Sequence, residues 1–376
     1  MKVVYCIAGT YNSGGMERVL TNKANWLINA GYEVVIVTTD QRGQKPFFPL
    51  NKQIQCYDLG INYELNNGKS FVNKITKYPY KLWKHKRKLN KLLKQLKADI
   101  VVSMFCNDVS ILPQIKDGSK KVLEVHFSRF KRLQYGRKGF WKLADEWRSN
   151  NDLRLVSYYD RFVVLTQEDK SYWGTLPNME VIANAHTYSF DHPAKLDNKI
   201  VIAVGRYEYQ KGFDRLIDAW KLVSEQAKDW KLYIIGDGIQ RKQLLQQIEA
   251  YNLSESIQLM KLSPEKMKEA YLQSSIATLS SRYEGLPMVL LEAQAAGLPI
   301  VSFACKCGPR DIIKDGENGF LVNEGEVKEL ASSLLKVIQN TPLRKNMGEA
   351  AYQNSEKFAE EKIMQQWNHL FHILVK

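Results

Sequence analysis

Two glutamates bracket a helix start in the run Arg282-Tyr283-Glu284-Gly285-Leu286-Pro287-Met288-Val289-Leu290-Leu291-Glu292-Ala293. Gly285 and Pro287 shape a turn, and Pro287 suits the first helical turn. Glu284 belongs to the loop, where an acid can serve simply as a partner for the helix dipole. Glu292 falls inside a largely apolar helix, where a carboxylate needs hydrogen-bond donors. Sugar hydroxyls are donors of that kind. A second run, Gly205-Arg206-Tyr207-Glu208-Tyr209-Gln210-Lys211-Gly212-Phe213, holds two cations five residues apart. Arg206 can fork onto two phosphate oxygens and Lys211 adds a point charge, which suits a diphosphate; a solvated loop is the plainer alternative. A third, Tyr11-Asn12-Ser13-Gly14-Gly15-Met16-Glu17, follows an apolar run and opens a helix. Its glycines let backbone N–H groups at the positive end of the helix approach an anion. Because Gly14 and Gly15 are adjacent, this is not the G-x-G-x-x-G dinucleotide fingerprint, and a glycine turn without a ligand would look the same.

These segments sit on a repeating scaffold. In the first half, strands are predicted at 3–8, 33–39, 54–59, 100–105, 122–126 and 162–166, with a helix over 15–30. They are continuous Val/Ile-rich runs, the pattern of a parallel sheet buried on both faces. The pattern restarts after the irregular stretch 188–198. Strands are predicted at 199–204, 231–236, 257–260, 276–279 and 299–303, and helices at 213–225, 240–251, 264–273 and 288–296. Two closing helices are predicted at 326–339 and 343–371. The 376 residues fit two domains at roughly 100–200 residues each. The expectation is an α/β chain with two doubly wound, Rossmann-like parallel-sheet domains, 1–190 and 191–376, facing each other across a cleft, the last helix packing back on the first.

Glu284 and Glu292, with seven residues between them, resemble the paired-glutamate motif of the retaining glycosyltransferases of family 4, which have the GT-B fold. The Gly14-Gly15 loop, Arg206 with Lys211, and Val181-Ile182-Ala183-Asn184 fall in that family's order and spacing, over essentially the whole chain. The likeness is to bacterial polysaccharide and glycolipid enzymes. It implies roles for matching positions. Gly14 and Gly15 form the loop whose backbone meets the donor diphosphate, and Arg206 and Lys211 hold that diphosphate. Glu292 accepts from the ribose hydroxyls. Glu284, with the backbone of Gly285 and Leu286, holds the transferred sugar. His126 matches the family histidine near the reaction centre, although a histidine at a strand end can also be purely structural. Backbone near Leu262 reads the base. The donor is expected to be a nucleotide-diphosphate sugar, UDP by preference, carrying a hexose or N-acetylhexosamine. The chain has no Asp-x-Asp, so no metal or other cofactor is expected; cations and a helix dipole stabilise the leaving diphosphate.

Charge points to the acceptor side. The chain carries a net +14, and residues 1–190 hold 30 Lys and Arg against 16 Asp and Glu, while residues 191–376 are balanced at 24 and 24. Residues 74–97 contain ten basic residues and no acid, with Ile75, Tyr78, Leu82, Leu89, Leu92 and Leu96 at helical spacing and Pro79 near the helix start. Arg129, Lys131, Arg132, Arg137, Lys138 and Lys142 interleave with Phe130, Tyr135, Phe140 and Trp141. A basic amphipathic helix and an Arg/aromatic cluster suit an anionic headgroup surface. Segments 74–97 and 129–142 are therefore expected to dock on the inner face of the cell membrane and receive a lipid-diphosphate-linked glycan. The alternative is an ordinary amphipathic helix with a solvated lysine face. No nucleic-acid motif is present, and none is expected as partner.

Other features exclude more than they assign. Five scattered cysteines fit free thiols, and Cys305-Lys-Cys307 lacks the second knuckle of a zinc site. The opening apolar run is shorter than a secretory core, and no run approaches the ~20 apolar residues of a membrane span. A peripheral cytoplasmic protein is expected. Asn67-Gly68-Lys69-Ser70 ends like a P-loop, but position 63 is Tyr63 and not glycine. Two other readings fit the same motifs: a nucleotide-sugar epimerase of GT-B fold, and a non-catalytic protein that binds nucleotide sugar or membrane.

Overall fold

The computed structural model describes residues 1–66, 71–130 and 139–376, with the side chains of 66, 71–76, 140, 141 and 144 also left aside. The chain divides into two compact units. The first comprises Met1–Leu165, Lys170–Ile182 and Met364–Lys376, and the second Thr166–Asp169 and Ala183–Ile363.

The first half of the chain runs β1 (Lys2–Ile7), α1 (Gly15–Asn29), β2 (Glu33–Thr38), β3 (Gln55–Asp58), α2 (Phe71–Leu96), β4 (Ile100–Ser103), β5 (Lys120–Glu124), α3 (Phe140–Val156), β6 (Arg161–Val164), α4 (Gln167–Trp173) and β7 (Met179–Val181). The strands of the first unit form one sheet in the order β3-β2-β1-β4-β5-β6-β7, and every pairing is parallel. That is the arrangement the Val/Ile-rich runs predict. Because β2 lies on one side of β1 and β4 on the other, the order in which strands are added reverses between β1 and β4, and the loops after those parallel strands diverge to leave a crevice.

The second half runs β8 (Ile200–Val204), α5 (Phe213–Gln226), β9 (Lys231–Ile235), α6 (Arg241–Ala250), β10 (Ile257–Met260), α7 (Pro264–Leu272), β11 (Ile276–Leu279), α8 (Met288–Ala295), β12 (Ile300–Phe303), α9 (Pro309–Ile312), β13 (Gly319–Val322), α10 (Val327–Gln339), α11 (Thr341–Ser355) and α12 (Glu360–Val375). Its sheet is also parallel throughout, in the order β10-β9-β8-β11-β12-β13, with the switch point between β8 and β11. Trp220, Leu216 and Val223 of α5 are fully buried and join Leu330, Leu334 and Val337 of α10 in the core. Their three-to-four-residue spacing turns one stripe of each helix inward.

Three sequence expectations change. The helix predicted over 343–371 is two helices, separated by a 3-10 turn at Glu356–Phe358 and an extended Ala359 (φ −61°, ψ 140°). No glycine or proline marks that break. Pro79 lies inside α2 rather than near its start; it has no N–H to give the preceding turn, so the helix continues there with one bond fewer. Tyr78 is not on the buried face of α2 but exposed, whereas Leu89, Leu93 and His85 are buried. The P-loop-like Asn67–Ser70, the side chains of Lys74, Ile75, Phe140 and Trp141, and the residues Lys131, Arg132, Tyr135, Arg137 and Lys138 lie outside the described residues.

Candidate functional site

The loop leaving β8 is pinned before it turns. Tyr207 is fully buried, and its hydroxyl donates to the carbonyl of Ile234 (2.8 Å) or Met260 (3.1 Å), at the ends of β9 and β10. Burial pushes that hydroxyl up to about 12, so it stays a donor at neutral pH. Gly212 then adopts φ +62° at the N-cap of α5, and a Cβ there would meet the Ser280 carbonyl oxygen at 2.2 Å. Only glycine fits both conditions. Ser280, just after β11, donates its hydroxyl to the Lys211 carbonyl at 2.9 Å.

This brings Lys211 and Glu284 together. The Lys211 ammonium lies 2.6 Å from Oε1 of Glu284, with side chains 15% and 7% exposed. Ser281 donates to the same oxygen at 2.6 Å. The Glu284 N–H donates to the Lys306 carbonyl at 3.1 Å. The turn Gly285-Leu286-Pro287 rests on Gly308 (φ +100°), where a Cβ would come within 2.3 Å of Pro287 and 3.2 Å of Leu286.

Arg206 is placed differently from Lys211. Its side chain is 68% exposed and pairs with Glu208 at 2.9 Å, a surface contact worth little by itself, which leaves the guanidinium easy to redirect. Glu292, on α8, is half-buried and accepts from the Tyr271 hydroxyl at 2.9 Å. Burial first, and then the carboxylate of Glu292, hold that phenol well above its ordinary range. A donor for Glu292 thus comes from α7 of the chain itself, where the sequence had offered sugar hydroxyls alone. Leu262 is half-buried in the segment between β10 and α7.

Sequence reasoning missed a clamp on this loop. Arg282 forks onto Asp214 at 2.9 and 2.6 Å, donates to the Tyr209 carbonyl at 2.7 Å, and lies over the Tyr209 ring at 4.0 Å. Burial works to raise the Asp214 carboxyl, but the Arg282 fork outweighs it and holds the group below its ordinary range. The pair ties the start of α5 to the residue two places before Glu284. Lys261 and Asp237, paired at 2.8 Å, were also missed; Gly236-Asp237-Gly238 after β9 was the available signal.

The remaining expected residues belong to the first unit. Gly14 is the N-cap of α1, and a Cβ there would strike Oε2 of Glu17 at 2.2 Å, whereas a Cβ at Gly15 would meet nothing within 4 Å. Glu17 therefore packs against the first turn while Gly15 stays open. His126 follows β5 by two residues. Its Nε2 lies 3.1 Å from Oε1 of Glu124, and the same oxygen accepts from Lys23 at 2.6 Å. Burial alone would raise the Glu124 carboxyl, but Lys23 and His126 together hold it down at about 2.

Residues 13–186 match the family described as Glycosyltransferase Family 4, and residues 184–354 match Glycosyl transferases group 1. The amylovoran biosynthesis glycosyltransferase AmsD of Erwinia amylovora is 32% identical over 390 residues, covering 98% of this chain and 98% of its own. The chain belongs to glycosyltransferase family 4. The Campylobacter jejuni GalNAc-alpha-(1->4)-GalNAc-alpha-(1->3)-diNAcBac-PP-undecaprenol alpha-1,4-N-acetyl-D-galactosaminyltransferase is 28% identical over 376 residues, covering 98% of this chain and 97% of its own. A mutant of S. aureus TarM, solved with Fondaparinux, alpha-GlcNAc-glycerol and UDP, matches with a TM-score of 0.77 at 17% identity, over 98% of this chain and 99% of its own. That likeness shows the fold, which is GT-B.

Proposed function

We propose that this glycosyltransferase moves a hexose or N-acetylhexosamine from a UDP-sugar to a glycan or lipid-linked acceptor, at the cytosolic membrane face and in cell-surface polysaccharide assembly. Transfer retains the anomeric configuration and uses no metal. The observation that carries the reading is the Lys211–Glu284 contact at the β8/β11 switch point, a cation and a carboxylate withdrawn from water where open α/β sheets take ligands. UDP is the choice because the TarM structure holds it, and a lipid-linked acceptor because the name of the Campylobacter relative contains one.

The chemistry follows from charge. Breaking the bond between the anomeric carbon and the β-phosphate oxygen leaves that oxygen with the electron pair and the sugar with positive character. Lys211, and Arg206 swung from Glu208, stabilise the departing diphosphate, with the backbone N–H of Gly15 at the start of α1. Gly14 lets that loop turn. Glu284 and the backbone of Gly285 and Leu286 hold the sugar, Glu292 the ribose, and the segment at Leu262 the base. His126 serves the reacting sugar. The acceptor hydroxyl attacks the face that the nucleotide leaves, and the leaving phosphate oxygen takes its proton.

The membrane part rests on α2. Tyr78, Tyr80 and Trp83 are exposed, Tyr80 and Trp83 stack at 6.0 Å, and Lys77, Lys86, Arg87, Lys91 and Lys94 are exposed beside them. Not every lysine is available: Lys81 donates to the Asn62 carbonyl, Lys86 to Oε1 of Gln114 at 2.6 Å, and Lys88 to the Leu59 carbonyl at 2.6 Å. Among the described residues no helix is long and apolar enough to cross a membrane.

The test is a panel of UDP-sugars in a thermal-shift assay, followed by transfer of label to membrane-extracted glycolipid. A true donor raises the melting temperature by mass action and yields UDP only when acceptor is present. A panel in which no UDP-sugar shifts the melt sinks the donor assignment. Turnover of the nucleotide sugar to an isomer without acceptor would instead mark an epimerase.

A further inference from the structure

We propose that Glu124, itself held by the buried Lys23, is a positioning residue for His126, setting which nitrogen of the imidazole meets the substrate. This rests on the reading that His126 acts at the reacting sugar, and goes beyond it by naming the groups that prepare it.

The placement follows from local structure. Past the end of β5 the Val125 N–H donates to the Val163 carbonyl at 3.0 Å, and Val125 is buried, while the side chains of Glu124 and His126, two residues apart, meet at 3.1 Å. Lys23 of α1 meets Glu124 as well. Lys23 and Glu124 are 4% and 0% exposed and meet at 2.6 Å. On its other side the ammonium lies 3.7 Å from the centre of the Trp367 ring of α12. Trp367 is itself buried. The lysine is thus shut off from water, and its charge is answered by Glu124.

A buried ion pair is a poor way to gain stability alone, since apolar residues of similar volume do as well or better. Glu124 has a second neighbour. The same oxygen that holds Lys23 lies 3.1 Å from Nε2 of His126, while Oε2, also buried, makes no hydrogen bond among the described residues. The ring N–H is not aimed along the 3.1 Å line, since His126 Nε2 has contact without an aligned hydrogen bond. Catalytic contacts in a ligand-free protein are commonly misaligned in this way and tighten on binding. A carboxylate beside Nε2 favours the proton on that nitrogen, so Nδ1 is left with the lone pair. Lys23 fixes the carboxylate, the carboxylate fixes the tautomer, and the imidazole is offered as an acceptor through Nδ1.

The test separates this from a structural role. Parent protein, Glu124→Gln, the double variant Lys23→Met/Glu124→Gln, and His126→Ala are compared by thermal melting, donor KM and kcat, and 15N NMR of the His126 ring. Glu124→Gln strands a buried ammonium and is expected to melt lower. The double variant removes both charges and is expected to regain most of that loss, while kcat stays down by about tenfold or more and donor KM changes little. In the parent, the ring is expected as the Nε2–H tautomer, a readout that needs no variant to fold. A double variant with both melting temperature and kcat at parental values overturns the proposal, as does an Nδ1–H tautomer in the parent. His126→Ala with parental kcat overturns the underlying reading of His126 instead, and so the two failures are distinguishable.

Discussion

Lys211 and Glu284 are 73 residues apart in sequence and 2.6 Å apart in space, joined across the loops that leave β8 and β11. The two partners are not equally trapped. Lys211 is 15% exposed and Glu284 only 7%. Removing Lys211 leaves a carboxylate with Ser281 as its remaining side-chain donor among the described residues, while neutralising Glu284 leaves an ammonium that can lean towards solvent. Breaking a buried pair from one side costs about 3–5 kcal/mol. Lys211→Met is therefore expected near the upper end of that range and Glu284→Gln below it, as read by urea unfolding. Both are expected to lower transfer by about 100-fold or more. Equal stability losses would show that the pair is solvated in solution.

Gly212 sets the geometry of that pair. An alanine there carries the left-handed penalty of about 1–2 kcal/mol and places its Cβ 2.2 Å from the Ser280 carbonyl. The backbone must shift, and Lys211 shifts with it. Gly212→Ala is expected to destabilise by more than about 2 kcal/mol and to lower kcat as well as donor affinity. The control is Gly316→Ala, also at positive φ but with open space around the added Cβ, which carries the backbone penalty and no collision. Equal loss of transfer in the two variants would remove the link between Gly212 and the site.

Much of this architecture was legible because burial on both faces of a parallel strand leaves an unbroken Val/Ile run, as in β1, β4 and β8. The edge strands β7 (Met-Glu-Val) and β13 (Gly-Phe-Leu-Val) carry one Val each and no Ile, so neither shows such a run. The break before α12 was hidden because Ser355-Glu356-Lys357-Phe358-Ala359 contains good helix formers; burial of Phe358 accompanies the turn there. Within the site, Glu284, Arg206 and Lys211 were visible as charges on glycine-marked loops, and Glu292 as an acid inside an apolar helix. Their supports were not. Arg282 meets Asp214 across 68 residues, and Tyr271 meets Glu292 across 21. Lys23 reads as one more exposed lysine on α1 until the fold puts Glu124 and Trp367 around it. Long-range partners are properties of topology, and single-sequence periodicity carries no information about them.

Tyr271 and Glu292 give a prediction confined to binding. Tyr271→Phe removes one donor from the Glu292 carboxylate and leaves the ring in place. A hydrogen bond of this kind contributes about 0.5–1.5 kcal/mol, so donor KM is expected to rise roughly 2- to 12-fold with kcat little changed. The measurement is initial rate against donor concentration at saturating acceptor. A fall in kcat with constant KM would place Glu292 at the chemistry instead of the ribose.

Asp108 gives a pH dependence. It is buried beyond the end of β4, and burial pushes its carboxyl up from 3.8 to about 6. The groups around it are the Ser103 hydroxyl, Cys6, Tyr63 and Tyr159. A folded value above the unfolded one means that the native state binds the proton more tightly. The contribution is favourable and complete below 3.8, falls as pH rises to about 6, and is lost above it, a swing of about 3 kcal/mol. Asp108→Asn stays neutral throughout. It is expected to melt higher than the parent at pH 7.5, with the advantage shrinking to nothing at pH 3.5. A constant difference across that range would show that the carboxyl titrates normally.

The exposed cations of α2 can be separated into those tied to the fold by a hydrogen bond and those with no such tie among the described residues. Lys88 is tied to the Leu59 carbonyl at 2.6 Å, whereas Arg87 lies 5.6 Å over the exposed Trp83 ring and Lys91 is exposed one turn on. Each basic residue near an anionic surface contributes about 1 kcal/mol, so Arg87→Ala/Lys91→Ala is expected to weaken binding to phosphatidylglycerol vesicles by roughly 30-fold. Trp83→Ala is expected to weaken it further by removing an interfacial aromatic. Lys88→Ala is expected to lower the melting temperature and leave vesicle binding closer to the parent's than either. Flotation at low and high salt reads all three, and the Arg87/Lys91 effect should shrink as salt screens it. If the parent fails to float with anionic vesicles at low salt, the lysine face is merely solvated and the acceptor must be reached without the membrane.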